Sequence, residues 1–311
     1  MSHSSIKSDA ATALAACSPI EKHFTFNGFT YAAQLWGEDG GLPVIALHGW
    51  LDNCGSFARL APQLKGVQCL ALDLSGHGLS DHKIGLDDYS LWSDTAAIYA
   101  IADKMGWDQF ALIGHSRGAM MSFLSAAAYP KRISHLIMID AIMPPLVENG
   151  GVIERMTRSI EEISHRLERQ ATHFSSRQEA ITARCMSRYA PVTQQTAEQL
   201  AQRGLSESNQ QFYWHADSKL WSLSAVGLSF EMLQAFVKQI SDASVPCLLL
   251  LGEEGLVKQS SPEFIAQCEQ LAKDISARID YFDDGHFLHM EKSAEAVAQT
   301  IQHFLFTPGS K

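Results

Sequence analysis

Short apolar runs alternate with stretches of helical length along most of the chain. Phe24 and Phe26, then Tyr31, Ala33 and Leu35, alternate around Asn27-Gly28. Both turn positions tolerate positive φ, so this segment predicts an antiparallel hairpin. Continuous apolar runs follow at 44–47, 67–72, 110–113 and 133–139. Strands that are apolar on both faces and separated by helices predict a mostly parallel sheet covered on both sides. Residues 89–105 read as one covering helix, with Asp88 as its cap and Trp92, Ala96, Tyr99 and Met105 on its buried side.

After Asp140 the rhythm stops. Pro144-Pro145 and Gly150-Gly151 break regular structure, and 143–225 is expected to be helical or irregular, with no convincing buried strand. Ile153, Met156, Ile160, Ile163 and Leu167 recur at helical spacing among polar residues. They predict a helix whose apolar side packs on its neighbours, with a partner-binding or substrate-lining face as the alternative. Strand-like runs resume at 247–251 and 279–282, and a last helix covers 293–306. The expected division is an N-terminal extension over 1–19, a sheet domain over 20–142 and 226–311, and a mainly helical insert over 143–225.

Composition narrows the function classes. The 311 residues suffice for one large core plus a smaller element, and 46% hydrophobic with 19% charged residues excludes a disordered chain. A net charge of -10, without a basic run, argues against nucleic-acid binding and favours small, neutral partners. No apolar stretch reaches the roughly eighteen residues that a bilayer span needs. Leu14-Ala15-Ala16-Cys17 has the small-residue look of a lipoprotein processing site, but polar residues from Ser2 to Asp9 replace the apolar segment export requires. A cytoplasmic location is expected. Six cysteines without a CxxC pair fit reduced, mostly buried thiols better than disulfides or zinc ligands, and no metal is expected.

The chemistry-bearing residues follow the strands. Gly114-His115-Ser116-Arg117-Gly118 stands between an apolar run and a helix-forming segment. This is GxSxG in its required setting, which makes Ser116 a candidate nucleophile. A serine hydroxyl needs a base. His286, in Asp283-Asp284-Gly285-His286 just after the last apolar run, is the candidate, and His289 is its rival, read instead as a loop-stabilising residue. Leu47-His48-Gly49-Trp50 follows the 44–47 strand, so the amides of Trp50 and Arg117 are candidate oxyanion donors. The Trp50 side chain reads equally as pocket wall or core. The Arg117 side chain is a candidate partner for a neighbouring acidic group. The stretch Asp73-Leu74-Ser75-Gly76-His77-Gly78-Leu79-Ser80 lacks phosphate-loop spacing and reads as a structural loop tied by Asp73 and Ser80.

Together these motifs resemble the α/β-hydrolase superfamily, and within it the serine hydrolase-like proteins. The resemblance rests on His48 to Asn53 with Ser56-Phe57, the 73–80 stretch, 114–118, and Gly285-His286 with His289-Met290-Glu291. It covers about 20–308 and weakens over the insert, where Trp214-His215-Ala216-Asp217-Ser218-Lys219-Leu220 is similar to a segment of that group, with Ser218 in place of its proline. The resemblance implies an α/β fold with a mostly parallel eight-stranded sheet, a helical cap inserted after the sixth strand, no cofactor, and esterase-like chemistry at Ser116 and His286. In the commoner family arrangement an aspartate follows the next-to-last strand, but here that loop reads Leu251-Gly252-Glu253-Glu254-Gly255, with glycine at the aspartate's place. Asp140, which ends the 133–139 run, is the candidate third member, with Glu253 or Glu254 as alternatives. The expected activity is cleavage of a small or medium carboxylic ester. A carbon–carbon bond hydrolase and an inactive binding protein on the same fold are the alternatives.

Overall fold

In a computed structural model, which describes residues 18–144, 146–147, 151–167, 171–188 and 190–307, the apolar runs pair into one sheet. Leu14 to Cys17, Pro145 and Gly150 lie outside the described residues. The strands are β1 Ile20–Phe26, β2 Phe29–Trp36, β3 Leu42–Leu47, β4 Val67–Leu72, β5 Phe110–His115, β6 Ile133–Ile139, β9 Cys247–Glu254 and β10 Arg278–Gly285. They lie in the order β1-β2-β4-β3-β5-β6-β9-β10. β1 and β2 pair antiparallel around Asn27 and Gly28, both at positive φ, and every pair from β4 to β10 is parallel.

Continuous apolar runs are needed because both faces are covered. Ile45, Leu47, Leu112 and Met138 point to one side, where helices α1 Thr95–Lys104, α2 Arg117–Ala128, α6 Phe230–Asp242 and α7 Pro262–Asp274 contribute Ile98, Met121, Leu233 and Leu271. Val44, Ala46, Ile113 and Leu250 point to the other, against Phe57, Leu60 and helix α8 Ala294–Phe306. Each fully buried large side chain contributes about 1.5–3 kcal/mol. The resulting apolar layers hold the carboxyl ends of the parallel strands at one edge of the molecule. Among the described residues no helix is long and apolar enough to cross a membrane.

The insert between β6 and β9 carries α3 Val152–Leu167, α4 Arg177–Cys185, α5 Gln194–Gly204 and a hairpin of β7 Leu205–Ser208 with β8 Gln211–Trp214. The hairpin is an addition to the helical expectation. Its strands are half-exposed, so they lack a buried run, and the signal is the turn pair Asn209 and Gln210, both at positive φ.

Two further expectations are corrected. The helix expected over 89–105 begins only at Thr95, behind Asp94 rather than Asp88, and buries Ile98, Ile101 and Ala102 while Ala96 is exposed. Tertiary bonds claim the segment before it: Arg117 Nη2 donates to the carbonyls of Tyr89 and Ser90, and the Tyr89 hydroxyl donates to Asp217 of the insert at 2.5 Å. In α3, most of the apolar side does not pack on neighbours. Ile153 is 73% exposed, Met156 50% and Ile160 58%, whereas Ser159 and Ile163 are buried. The helix is seated on a sector adjoining its apolar stripe, with Glu162 accepting from Leu223 N and the Arg166 carbonyl accepting from Ser218. The side chain of Leu167 lies outside the described ones.

Candidate active site

Four chain reversals at the carboxyl ends of β3, β5, β6 and β10 converge, as open parallel sheets favour. Ser116 follows β5 at φ 52° and ψ -118°, in a backbone region that L-residues adopt at a cost. Its amide donates to Ile139 O at 2.9 Å, and its carbonyl accepts from Ala119 in the first turn of α2. Glycines make the turn possible. A Cβ at Gly114 would lie 2.3 Å from Gly118 O, and one at Gly118 would lie 2.0 Å from Leu47 O. Ser116 thus stands at the N-terminus of α2, whose free amides carry partial positive charge.

Asp140 follows β6, also at positive φ (48°), and is 1% exposed. Its amide is bonded to Leu250 O of β9, which fixes the residue to the sheet. Its Oδ1 accepts from Gly252 N at 3.2 Å, and Oδ2 accepts from Leu256 N at 2.8 Å and from His286 Nδ1 at 2.6 Å. Three donors compensate the burial of an anion. A Cβ at Gly255 would lie 2.2 Å from Asp140 Oδ1. The carboxylate therefore fills the space into which a side chain at position 255 would project. Glu253 and Glu254 are exposed at the end of β9 and are not brought to His286 by any hydrogen bond among the described residues.

His286 follows β10 directly, its side chain 8% exposed. Because a carboxylate accepts only, Nδ1 carries the proton, and in the neutral ring the lone pair is on Nε2. His289 sits differently. It is fully buried, 3.2 Å from Ser56 Oγ through Nε2, and burial, reinforced by His286, pushes its imidazole down to about 3.

His48 and His77 are structural ties. His48 Nε2 accepts from Leu74 N at 3.0 Å and His77 Nε2 from Leu51 N at 3.2 Å, each Nδ1 donating to a carbonyl of its own loop. They stitch the loop after β3 to the loop after β4, and burial pushes both imidazoles down. Asp73 in that second loop accepts from Cys54 N, Leu79 N and Arg203 Nε, while Ser80 Oγ donates to the Asp73 carbonyl. Among the described residues no group of three or more His, Cys, Asp or Glu side chains is arranged to hold a metal ion.

Trp50 and Arg117 lie at neighbouring reversals, because Leu47 and Gly114 pair in the β3–β5 ladder. The Trp50 indole reaches the insert, donating to Leu220 O at 2.9 Å and meeting the Trp221 ring edge-on at 4.4 Å. The Arg117 side chain holds backbone carbonyls rather than an acidic partner, and burial pushes its guanidinium down, with Asp94 and Asp88 near enough to oppose that in part. Sequence reasoning missed the arginines that clasp the insert to the sheet domain: Arg184 with Asp52 at 3.1 Å, and Arg203 with Asp73 at 2.6 Å and Glu21 at 2.5 Å. Arginines on polar helices carry no pattern that names a distant partner.

Known proteins are similar to this chain in sequence and in fold. The sequence profile of the α/β-hydrolase fold family matches residues 43–293. A probable serine hydrolase of Drosophila melanogaster is 30% identical over 285 residues, covering 89% of this chain and 84% of its own. A serine hydrolase-like protein of Mus musculus is 25% identical over 287 residues, covering 88% and 91%. The crystal structure of a hypothetical protein from Pseudomonas aeruginosa PAO1 superposes with a TM-score of 0.85 at 32% identity, covering 92% of this chain and 99% of that one. A thioesterase domain from the curacin biosynthetic pathway reaches a TM-score of 0.78 at 24% identity, a likeness of fold alone.

Proposed function

This chain belongs to the α/β-hydrolase fold family, and from that premise we propose that it is a serine esterase acting on small or medium carboxylic esters through an acyl-enzyme. The observation that carries the reading is the 2.6 Å contact between Asp140 Oδ2 and His286 Nδ1, beside a serine in a strained turn. With Nδ1 donating to Asp140, His286 Nε2 is free to take the Ser116 proton as Oγ attacks the ester carbonyl. The Trp50 and Arg117 amides receive the oxyanion, each such donor contributing about 3 kcal/mol in the transition state. His286 returns the proton to the departing alcohol, then activates the water that releases the acid and restores Ser116. Asp140 holds the histidine tautomer and stabilises the imidazolium without taking the proton.

We read the Trp50 and Trp221 rings, which meet edge-on across the insert boundary, as an apolar wall that suits an uncharged acyl or alkoxy group better than a highly charged metabolite. The test is covalent labelling by a fluorophosphonate, with turnover of aryl esters measured in parallel. Labelling at Ser116 and loss of both label and turnover in Ser116→Ala, with unchanged circular dichroism, is the expected result. Labelling elsewhere, or turnover of Ser116→Ala within threefold of wild type, contradicts the reading.

A further inference from the structure

His115, the last residue of β5, is fully buried, and its Nε2 lies 2.9 Å from the carbonyl oxygen of His286. A carbonyl only accepts, so His115 carries its proton on Nε2 and, when neutral, leaves a lone pair on Nδ1. That lone pair faces a carboxylate. Asp52 Oδ2 is 3.9 Å away, and neither atom has a hydrogen-bond partner among the described residues.

The other oxygen of Asp52 is taken from the insert. Arg184 Nη2 lies 3.1 Å from Oδ1, and the guanidinium also covers the Phe287 ring, next in sequence to His286. The His115 ring stands between those of His286 and His289, with centroid separations of 4.6 Å and 4.3 Å. His286 is therefore held at two points, its ring by Asp140 and its backbone by His115.

We propose that His115 is a positioning residue for His286, and that Arg184, through Asp52, keeps it in the neutral state. The proposal rests on the reading of His286 as the base. His115 is faced by Asp52 and His48 from the loop after β3, by His286 and His289 from the loop after β10, and by Arg184 through Asp52. Burial, with His289 and His286 alongside, pushes its imidazole well below the usual range. Arg184 compensates the Asp52 charge, so that carboxylate need not draw a second proton onto Nδ1. Without Arg184, a buried anion 3.9 Å from Nδ1 favours the imidazolium. A cation there opposes the charge that His286 acquires during attack.

The experiment compares His115→Phe, His115→Gln, Arg184→Met and His286→Ala in the full chain, using aryl ester kinetics across pH. It is read together with the low-field proton resonance of the His286–Asp140 hydrogen bond, assigned by its absence in His286→Ala. His115→Phe is expected to lower kcat about tenfold to a hundredfold at little-changed KM, and to shift or broaden the resonance. His115→Gln, whose amide reaches the same carbonyl, is expected to restore most of both. Arg184→Met is expected to move the acid limb of kcat/KM upward by about half a pH unit or more. Wild-type kcat and resonance in His115→Phe overturn the proposal, as do equal losses in the two His115 variants with the resonance unmoved. If His115→Phe does not fold, an acid limb of Arg184→Met coincident with wild type overturns it. Retained turnover in His286→Ala removes the base assignment instead, through a separate readout, and the proposal falls with it.

Discussion

The sheet domain and the insert are held in place by different kinds of contact. In the sheet domain, apolar layers press on both faces, and the backbone ladder fixes the register of the chain reversals, as Leu47 does with Gly114 and Asp140 with Leu250. The insert shares a small apolar cluster with Phe287 and Met290, but most of its reach into the sheet domain is polar. Arg184 and Arg203 meet buried carboxylates, Asp217 accepts from Tyr89, and Lys219 Nζ donates to the carbonyls of Lys83 and Gly85 at 2.6 Å and 2.9 Å. Apolar layers tolerate exchange of shape at constant volume, whereas a directional contact fails when either partner is removed. The reversals that carry the proposed chemistry are held by the first kind of contact and the insert by the second, with Arg184 reaching from one to the other.

The largest expected effect tests the sheet side. Gly118→Val sets a Cβ 2.0 Å from Leu47 O, an overlap of backbone with side-chain root that no rotamer relieves. A loss above about 4 kcal/mol is expected in urea unfolding. A loss below about 1 kcal/mol contradicts the close approach. On the insert side, Arg203→Leu leaves the buried Asp73 without its cation, bonded only to the amides of Cys54 and Leu79, and is expected to cost about 3–5 kcal/mol. Arg203→Lys keeps a cation beside Asp73 and should lose less, and an equal loss in the two variants means that packing, not charge, seats the arginine.

An intermediate effect comes from pH. The unfolded chain binds a proton at His289 near pH 6.5, whereas the folded chain resists it down to about 3. Stability attributable to this group is therefore complete above pH 6.5 and falls as the pH drops toward 3. Between pH 6 and 4 the wild type should lose about 1 kcal/mol per pH unit more than His289→Gln in urea unfolding. Parallel profiles contradict the buried, neutral state. The smallest effect belongs to α3: Ile153→Ser and Ile160→Ser, at 73% and 58% exposure, should each alter stability by about 0.5 kcal/mol or less in thermal unfolding. A larger loss means that this face packs against the protein after all.

What the sequence makes legible follows the same division. The inner strands are readable because two covered faces demand continuous apolar runs, and Ser116, Asp140 and His286 each directly follow a strand. Gly255 is readable as a departure from the family pattern. Its physical reason, a space occupied by the Asp140 carboxylate, is not, since it depends on two segments meeting across the sheet. The 89–94 segment has helical periodicity, yet Arg117 and Asp217 claim its polar groups. Periodicity identifies the apolar stripe of α3 correctly but says nothing of which sector is seated, because polar bonds from Leu223 and Ser218 decide that. The contact of His115 with the His286 carbonyl is likewise invisible until β5 and β10 are brought to one edge.

The central claim is that a carboxylate delivered by β6 completes the site in place of one from the loop after β9. The most direct measurement is kcat on an aryl ester for Asp140→Asn beside Glu253→Gln and Glu254→Gln, with folding checked by circular dichroism. A fall of about 10²–10⁴ is expected for Asp140→Asn, as when a triad histidine loses its orienting anion, with near wild-type values for both glutamine variants. A folded Asp140→Asn protein with wild-type kcat, together with a large loss in either glutamine variant, contradicts it.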